Sequence, residues 1–174
     1  MDGPKRGVKA WKERTTAFDR VRSIAQTVDR PRTAKYVAEE AAVSHTTAND
    51  HLKRLVEMNL VRTAASDGAT LYEPDPLYTR FRTLRQLIDD HGHEELLELK
   101  SELQRQIEAL DEQYAVDSPT DLRERAAETE TAAETMEFIE DASDWELALY
   151  HLSIVNDAID NYGEYAALDR RVRA

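Results

Sequence analysis

Between Ser44 and Leu60 the chain sets short polar side chains at helical spacing: His45, Thr46, Thr47, Asn49, Asp50, Lys53 and Arg54. Apolar Ala48, Leu52, Leu55 and Val56 share one stripe of the same helix, which turns most of the polar set outward. Asn bonds adenine in bidentate fashion, while Thr offers a methyl to thymine and a hydroxyl to phosphate. Lys and Arg neutralise phosphate; Asp50 accepts from cytosine but repels phosphate. The chemistry expected of this helix, read as residues 45 to 58, is sequence-specific reading of double-stranded DNA in the major groove. The plainer alternative is a solvated face on a small helical core.

Other groupings carry less. His91 and His93, with Asp89, Asp90, Glu94 and Glu95, are the ligand types of a metal site. They flank Gly92, however, where a turn between helices collects polar residues anyway. Cysteine is absent, which removes thiolate and disulfide chemistry. The sequence has no Gly-rich phosphate loop, nucleophile elbow or spaced His-Glu pair for zinc hydrolysis. The expectation is a protein that is not an enzyme and takes no cofactor and no metal.

Three helices and a hairpin must position the polar helix. From Thr16, the residues Phe18, Val21, Ile24, Ala25 and Val28 keep helical spacing until Asp29-Arg30-Pro31. Thr33 caps a second, short helix bearing Ala34, Val37, Ala38 and Ala41; Ala42-Val43-Ser44 has room only for a tight turn, and Ser44 caps the third helix. Two short helices so joined make a helix-turn-helix. Leu60 to Ala65 and Ala69 to Glu73 read as strands around an Asp67-Gly68 turn, with Pro74 and Pro76 closing the unit. The sequence therefore predicts a winged helix-turn-helix over residues 16–75.

Beyond it the pattern is helical. Leu77, Phe81, Leu84, Leu87 and Ile88 mark one helix. Leu96, Leu99, Leu103, Ile107, Leu110 and Tyr114 mark a longer one whose spacing is that of a coiled-coil seam with one stutter. Ser118-Pro119 restarts a helix. A last helix carries Trp145, Leu149, Leu152, Val155, Ile159 and Tyr162, ending near Gly163. The fold class expected is mainly α, an α+β winged helix followed at 77–174 by an acidic helical region that dimerises the chain or forms an internal bundle. The seam, with Trp145, Leu149 and Leu152, supplies the expected dimer contacts. His51 reads as a packing residue with a polar tip, and His151 as a partly buried packing or dimer-interface residue.

The run Ser44-His45-Thr46-Thr47-Ala48-Asn49-Asp50-His51-Leu52-Lys53-Arg54-Leu55-Val56-Glu57-Met58-Asn59-Leu60-Val61 resembles the recognition helix and first wing strand of ArsR-type winged-helix repressors. Arg32 to Ala38 resembles their second helix. Asn59 stands where that family has Gly, which is acceptable because Asn tolerates the left-handed conformation. Asp50 stands where the family often has Arg, and the wing tip, Ala65 to Thr70, holds no basic residue. The resemblance covers about residues 16–75 and implies a transcriptional regulator. The remainder resembles a haloarchaeal elaboration of that fold.

The net charge of -12 is unevenly placed. Residues 1–66 hold 13 Lys+Arg against 8 Asp+Glu, a net of +5, and the rest hold 10 against 27, a net of -17. Residues 1–15 read as a flexible basic arm, and its Lys5, Arg6, Lys9, Lys12 and Arg14 join Lys35 and Arg62 as candidate phosphate contacts. Abundant acid and few lysines resemble proteins of extreme halophiles. No apolar run reaches the roughly 18 residues of a membrane span, and the expected setting is the cytoplasm. Partners expected are double-stranded DNA and a second copy of the chain, because one recognition helix reads few base pairs. Two other readings stay open. One is a protein-interaction adaptor, and the other a regulator whose effector enters between the C-terminal helices around Trp145, Tyr150 and Tyr162.

Overall fold

The computed structural model describes residues 11, 13–66 and 68–172, with side chains through residue 167. The chain is mainly α with a small three-stranded antiparallel sheet. It divides into two compact units, Met1–Phe81 and Arg82–Ala174.

In the first unit, Thr16 opens α1 (Ala17–Ala25) with a reciprocal cap. Its hydroxyl accepts from the Asp19 amide at 3.1 Å and donates to the Asp19 carboxylate at 2.6 Å. That hydroxyl, aided by Arg22, holds the Asp19 carboxyl below the usual range. The helix stops three residues before Val28, because Thr27 folds its hydroxyl back onto the carbonyls of Ser23 and Ile24. Arg32–Thr33 then forms a two-residue strand, β1, too short for any periodicity to announce. Thr33 also caps α2 (Ala34–Glu40), and Ser44 caps α3 (His45–Glu57) by accepting from the Thr47 amide at 3.1 Å. The hairpin of β2 (Val61–Ser66) and β3 (Ala69–Pro74) pairs Val61 with Pro74 through to Ser66 with Ala69. Gly68, at φ 84°, supplies the left-handed turn residue; Asp67 lies outside the described residues. β1 pairs with β3 on its other edge, giving the order β1-β3-β2.

One core joins these elements. Val21, Val37, Ala41, Ala48, Leu52, Leu55, Val61 and Tyr72 are buried together, with Phe18, Ile24 and Val56 against them. Both ends of the α2–α3 region close with left-handed residues. Asn59, at φ 56°, ends α3 with its own amide on Val56 and that of Leu60 on Leu55, the double bond of a Schellman cap. Ala42, at φ 52°, does the same for α2, with Ala42 bonding Glu39 and Val43 bonding Ala38. Alanine has no reason to favour that conformation. Ala42→Gly is therefore expected to raise the stability of this unit by about 1 kcal/mol. Thermal melts check this, and a lowered midpoint would contradict it.

Asp75 caps α4 (Pro76–Asp90), accepting from the Tyr78 amide at 2.9 Å. Pro76 thus starts a helix where the sequence suggests an end, and the boundary between the units falls inside α4. The second unit continues with α5 (His93–Tyr114), α6 (Pro119–Ala126), α7 (Ala132–Asp160) and α8 (Tyr162–Val172). Gly163 lies within α8; the preceding helix ends at Asp160, so the expected end near Gly163 is replaced by a further helix.

The Leu96 to Tyr114 seam finds its partner in the same chain. Leu96 packs with Leu84, Ile154 and Ala158; Leu103 with Ala148 and Val155; Tyr114 with Leu122, Ala142 and Trp145. Leu96, Leu103, Tyr114 and Trp145 are buried, and Leu99, Ile107, Leu110 and Leu152 pack partly buried around them. Their assignment as dimer contacts is corrected accordingly: the coiled-coil spacing serves an internal bundle, and of that set only Leu149 is exposed. The Tyr114 hydroxyl donates to Asp141, and burial, with the Asp141 carboxylate beside it, pushes its pKa up to about 12. Among the described residues no helix is long and apolar enough to cross a membrane.

Candidate nucleic-acid interface

α3 presents its polar residues because its apolar positions are fully used. Ala48, Leu52 and Leu55 are 0% exposed. At about 100° per residue, Thr46, Asp50 and Lys53 then fall opposite the core, and all three are exposed. His45 is exposed at the first helical position, while Thr47 and Asn49 are half-buried at the margins. Thr47 is turned to the cap, its hydroxyl 2.8 Å from that of Ser44. Asn49 lies one turn from His45, its amide nitrogen 3.2 Å from the imidazole Nδ1. The outer surface of the first two turns is therefore a row of short donors and acceptors ending in Lys53.

The cations around this row are less free than the count of +5 implies. Arg54 lies over the Phe18 ring at 5.0 Å, and the same ring meets His51 edge-on at 5.5 Å. Arg54 thus ties α3 to α1 while its side chain stays exposed. Arg62 donates across the hairpin to its register partner Glu73 at 2.7 Å, which offsets its charge at the base of the hairpin. Arg32 stacks on Tyr36 and pairs with Asp29, and Arg22 pairs with Asp19. Exposed Arg14, Arg30, Lys35 and Lys53 have no hydrogen bond or ion pair among the described residues. Residues 11, 13 and 14 are helical, within the stretch expected as an arm, and Lys5, Arg6, Lys9 and Lys12 lie outside the described residues.

One positioning residue escaped the sequence reading. Arg20 is 8% exposed; its Nε donates to the Ala41 carbonyl at 2.9 Å and its Nη1 to the Thr15 carbonyl at 2.8 Å. It also lies 5.8 Å from the Trp11 ring. Its guanidinium thereby fixes the turn from which α3 departs. The available signal was a cation beside the apolar stripe of Val21 and Ile24.

In the second unit the expected effector residues do not converge. Trp145 is buried with Tyr114 and Leu122, Tyr150 is exposed, and Tyr162 packs with the Leu84 cluster and edge-on to His93 at 5.5 Å. His151 is exposed, tilted against Tyr150, rather than partly buried. An open groove of about 470 Å³ runs between α5 and α7, with Leu103, Leu110, Leu147 and Ala148 as its apolar lining and Asp141 and Asp144 as its carboxylates. No three His, Asp or Glu among the described residues are grouped to hold a metal ion.

No curated protein matches the chain. A family model described as a family of unknown function, DUF7342, spans residues 15–164, and the chain belongs to that family.

Proposed function

We propose that this chain is a sequence-specific double-stranded DNA-binding transcriptional regulator, an ArsR-like winged helix-turn-helix that acts as a homodimer. The observation that carries the reading is the outward row of His45, Thr46, Asp50 and Lys53, with half-buried Asn49 at its margin, on the first turns of a helix set off by a tight, Arg20-braced turn. That end of a recognition helix enters the major groove, where short polar side chains reach base edges. The order of α2, turn, α3 and hairpin supports the winged form, and the polar character of the row favours nucleic acid over a protein partner.

With few free cations among the described residues, affinity on this reading comes more from base contacts than from counterion release by this unit. That economy suits concentrated salt, where charge contacts are screened, and agrees with the acidic, halophile-like composition. Genome-wide mapping of bound DNA tests the proposal. The wild-type chain is expected to occupy discrete sites, and an Asn49→Ala, Lys53→Ala double variant to lose them, with affinity for an isolated site falling about 10- to 100-fold. Lys53→Ala alone is expected to shallow the log-log salt slope by about one. Absence of discrete sites for the wild type would overturn DNA reading in favour of the adaptor alternative.

A further inference from the structure

α7 is apolar on two faces, and only one is buried along its whole length. Trp145, Ala142, Ala148 and Val155 face the bundle. On the opposite side Met136, Ile139, Ser143, Leu147 and Tyr150 follow one another at spacings of 3, 4, 4 and 3 residues, a single stripe down the helix. Met136 is 59% exposed, Ile139 42%, Leu147 51% and Tyr150 39%. The stripe continues through Ile154 and Ala158, but there it is buried against Leu84 and the flanking Tyr162 and Tyr165. The same surface is thus closed within the chain at one end and open over about four turns at the other.

We propose that the open stretch, Met136 to Tyr150, is the surface on which a second copy of this chain docks, antiparallel, about a two-fold axis at Ser143. The spacing reads the same in both directions from Ser143, which a two-fold axis requires: Ile139 of one copy meets Leu147 of the other, and Met136 meets Tyr150. Ser143 gives the crossing point a small side chain, and its hydroxyl accepts from Arg123 Nη2 at 3.3 Å, so the Arg123 guanidinium that holds Glu146 rims the axis on that flank. About four turns of helix against helix bury roughly 1,000 Å² in total, near the lower bound of a specific interface. The result is a dimer that forms at micromolar chain concentration. The α5–α7 groove opens beside Leu147 and adds apolar area at the same edge.

Charge sets the conditions. Residues 82–174 hold 9 Lys+Arg against 24 Asp+Glu, a net of -15, and Glu140 and Asp144 flank the stripe. Glu146 on the other flank is held by Arg123 of α6. Two copies repel at low ionic strength and associate once salt screens them, so the dimer dissociation constant is expected to fall at least about tenfold between dilute and molar potassium chloride.

This inference deepens the dimeric part of the function proposed above without resting on DNA binding, and the test uses no DNA. Sedimentation of the full chain in molar potassium chloride is expected to show twice the chain mass, and Leu147→Glu a single chain with unchanged helicity. Because the chain lacks cysteine, Ser143→Cys introduces a lone thiol at the axis. A short bismaleimide is expected to link two such copies. Ser101→Cys, an exposed serine on α5 whose hydroxyl likewise returns to the carbonyl four residues back, is expected to stay unlinked. A wild-type chain that stays single at tens of micromolar, or a dimer that survives Leu147→Glu, overturns the interface. If Leu147→Glu unfolds, the thiol pair decides, and equal linking at both positions or at neither is equally fatal. Loss of DNA reading with an intact dimer would sink the functional proposal and leave this one standing.

Discussion

Leu52→Ala is expected to cost the first unit about 2–5 kcal/mol and to lower its melting midpoint by ten degrees or more. Leu52 is 0% exposed and shares a core with Val21, Val37, Ala48, Leu55, Val61 and Tyr72, contributed by all three helices and both hairpin strands. Removing three carbons there forfeits the transfer free energy of those atoms and leaves a cavity that fully used neighbours cannot fill. A unit of this size has only about 5–15 kcal/mol in hand. The two tryptophans make the measurement specific, since Trp11 lies in the first unit and Trp145 in the second. With Trp145 replaced by Phe in both backgrounds, denaturant melts followed by Trp11 fluorescence should move to lower midpoint. A loss below about 1 kcal/mol would mean that α3 is not held by this core. Any loss of DNA reading by Leu52→Ala would then follow from undocking α3. Asn49→Ala and Lys53→Ala remove the proposed DNA contacts while leaving the helix docked, and the pair of experiments separates position from chemistry.

The features legible in the sequence are those with local causes. Thr16, Thr33, Ser44 and Ser118 each begin a helix with a side-chain bond to the amide three residues on, a geometry written in four consecutive positions. Asn59 adopts the left-handed conformation its type allows, and the hairpin turns at Gly68. The features that were not legible depend on partners far along the chain. Arg62 looked free because Glu73 becomes its neighbour only through the strand register, and Arg54 because Phe18 reaches it from another helix. Local signs also mislead when one residue type serves two purposes: Pro76 and Gly163 both punctuate loops, yet each sits in the first turn of a helix, where Pro is favoured and Gly tolerated. The seam is the sharpest case, since heptad-like spacing states that a helix has a partner and is silent on whose.

Leu103→Glu turns that ambiguity into a measurement. Leu103 is 7% exposed and packs against Ala148 and Val155 of α7, with Leu99, Ile107 and Leu152 around it. A carboxylate placed there gives up the apolar contacts with Ala148 and Val155 and must turn into the α5–α7 groove or open the helix pair, at about 3–5 kcal/mol. Were the seam a contact between two chains, the variant would dissociate into folded single chains and its melting would become independent of concentration. With the seam internal, the second unit itself is expected to melt early, as read by Trp145 fluorescence in chains diluted below the dimer dissociation constant. Leu147→Glu is the matched control: it makes the same exchange at a residue 51% exposed and, at the same dilution, where the chain is single, is expected to change unfolding by no more than about 0.5 kcal/mol. The same chemical change thus separates the two faces of the bundle, since one leucine holds the unit together and the other meets solvent until a second copy arrives.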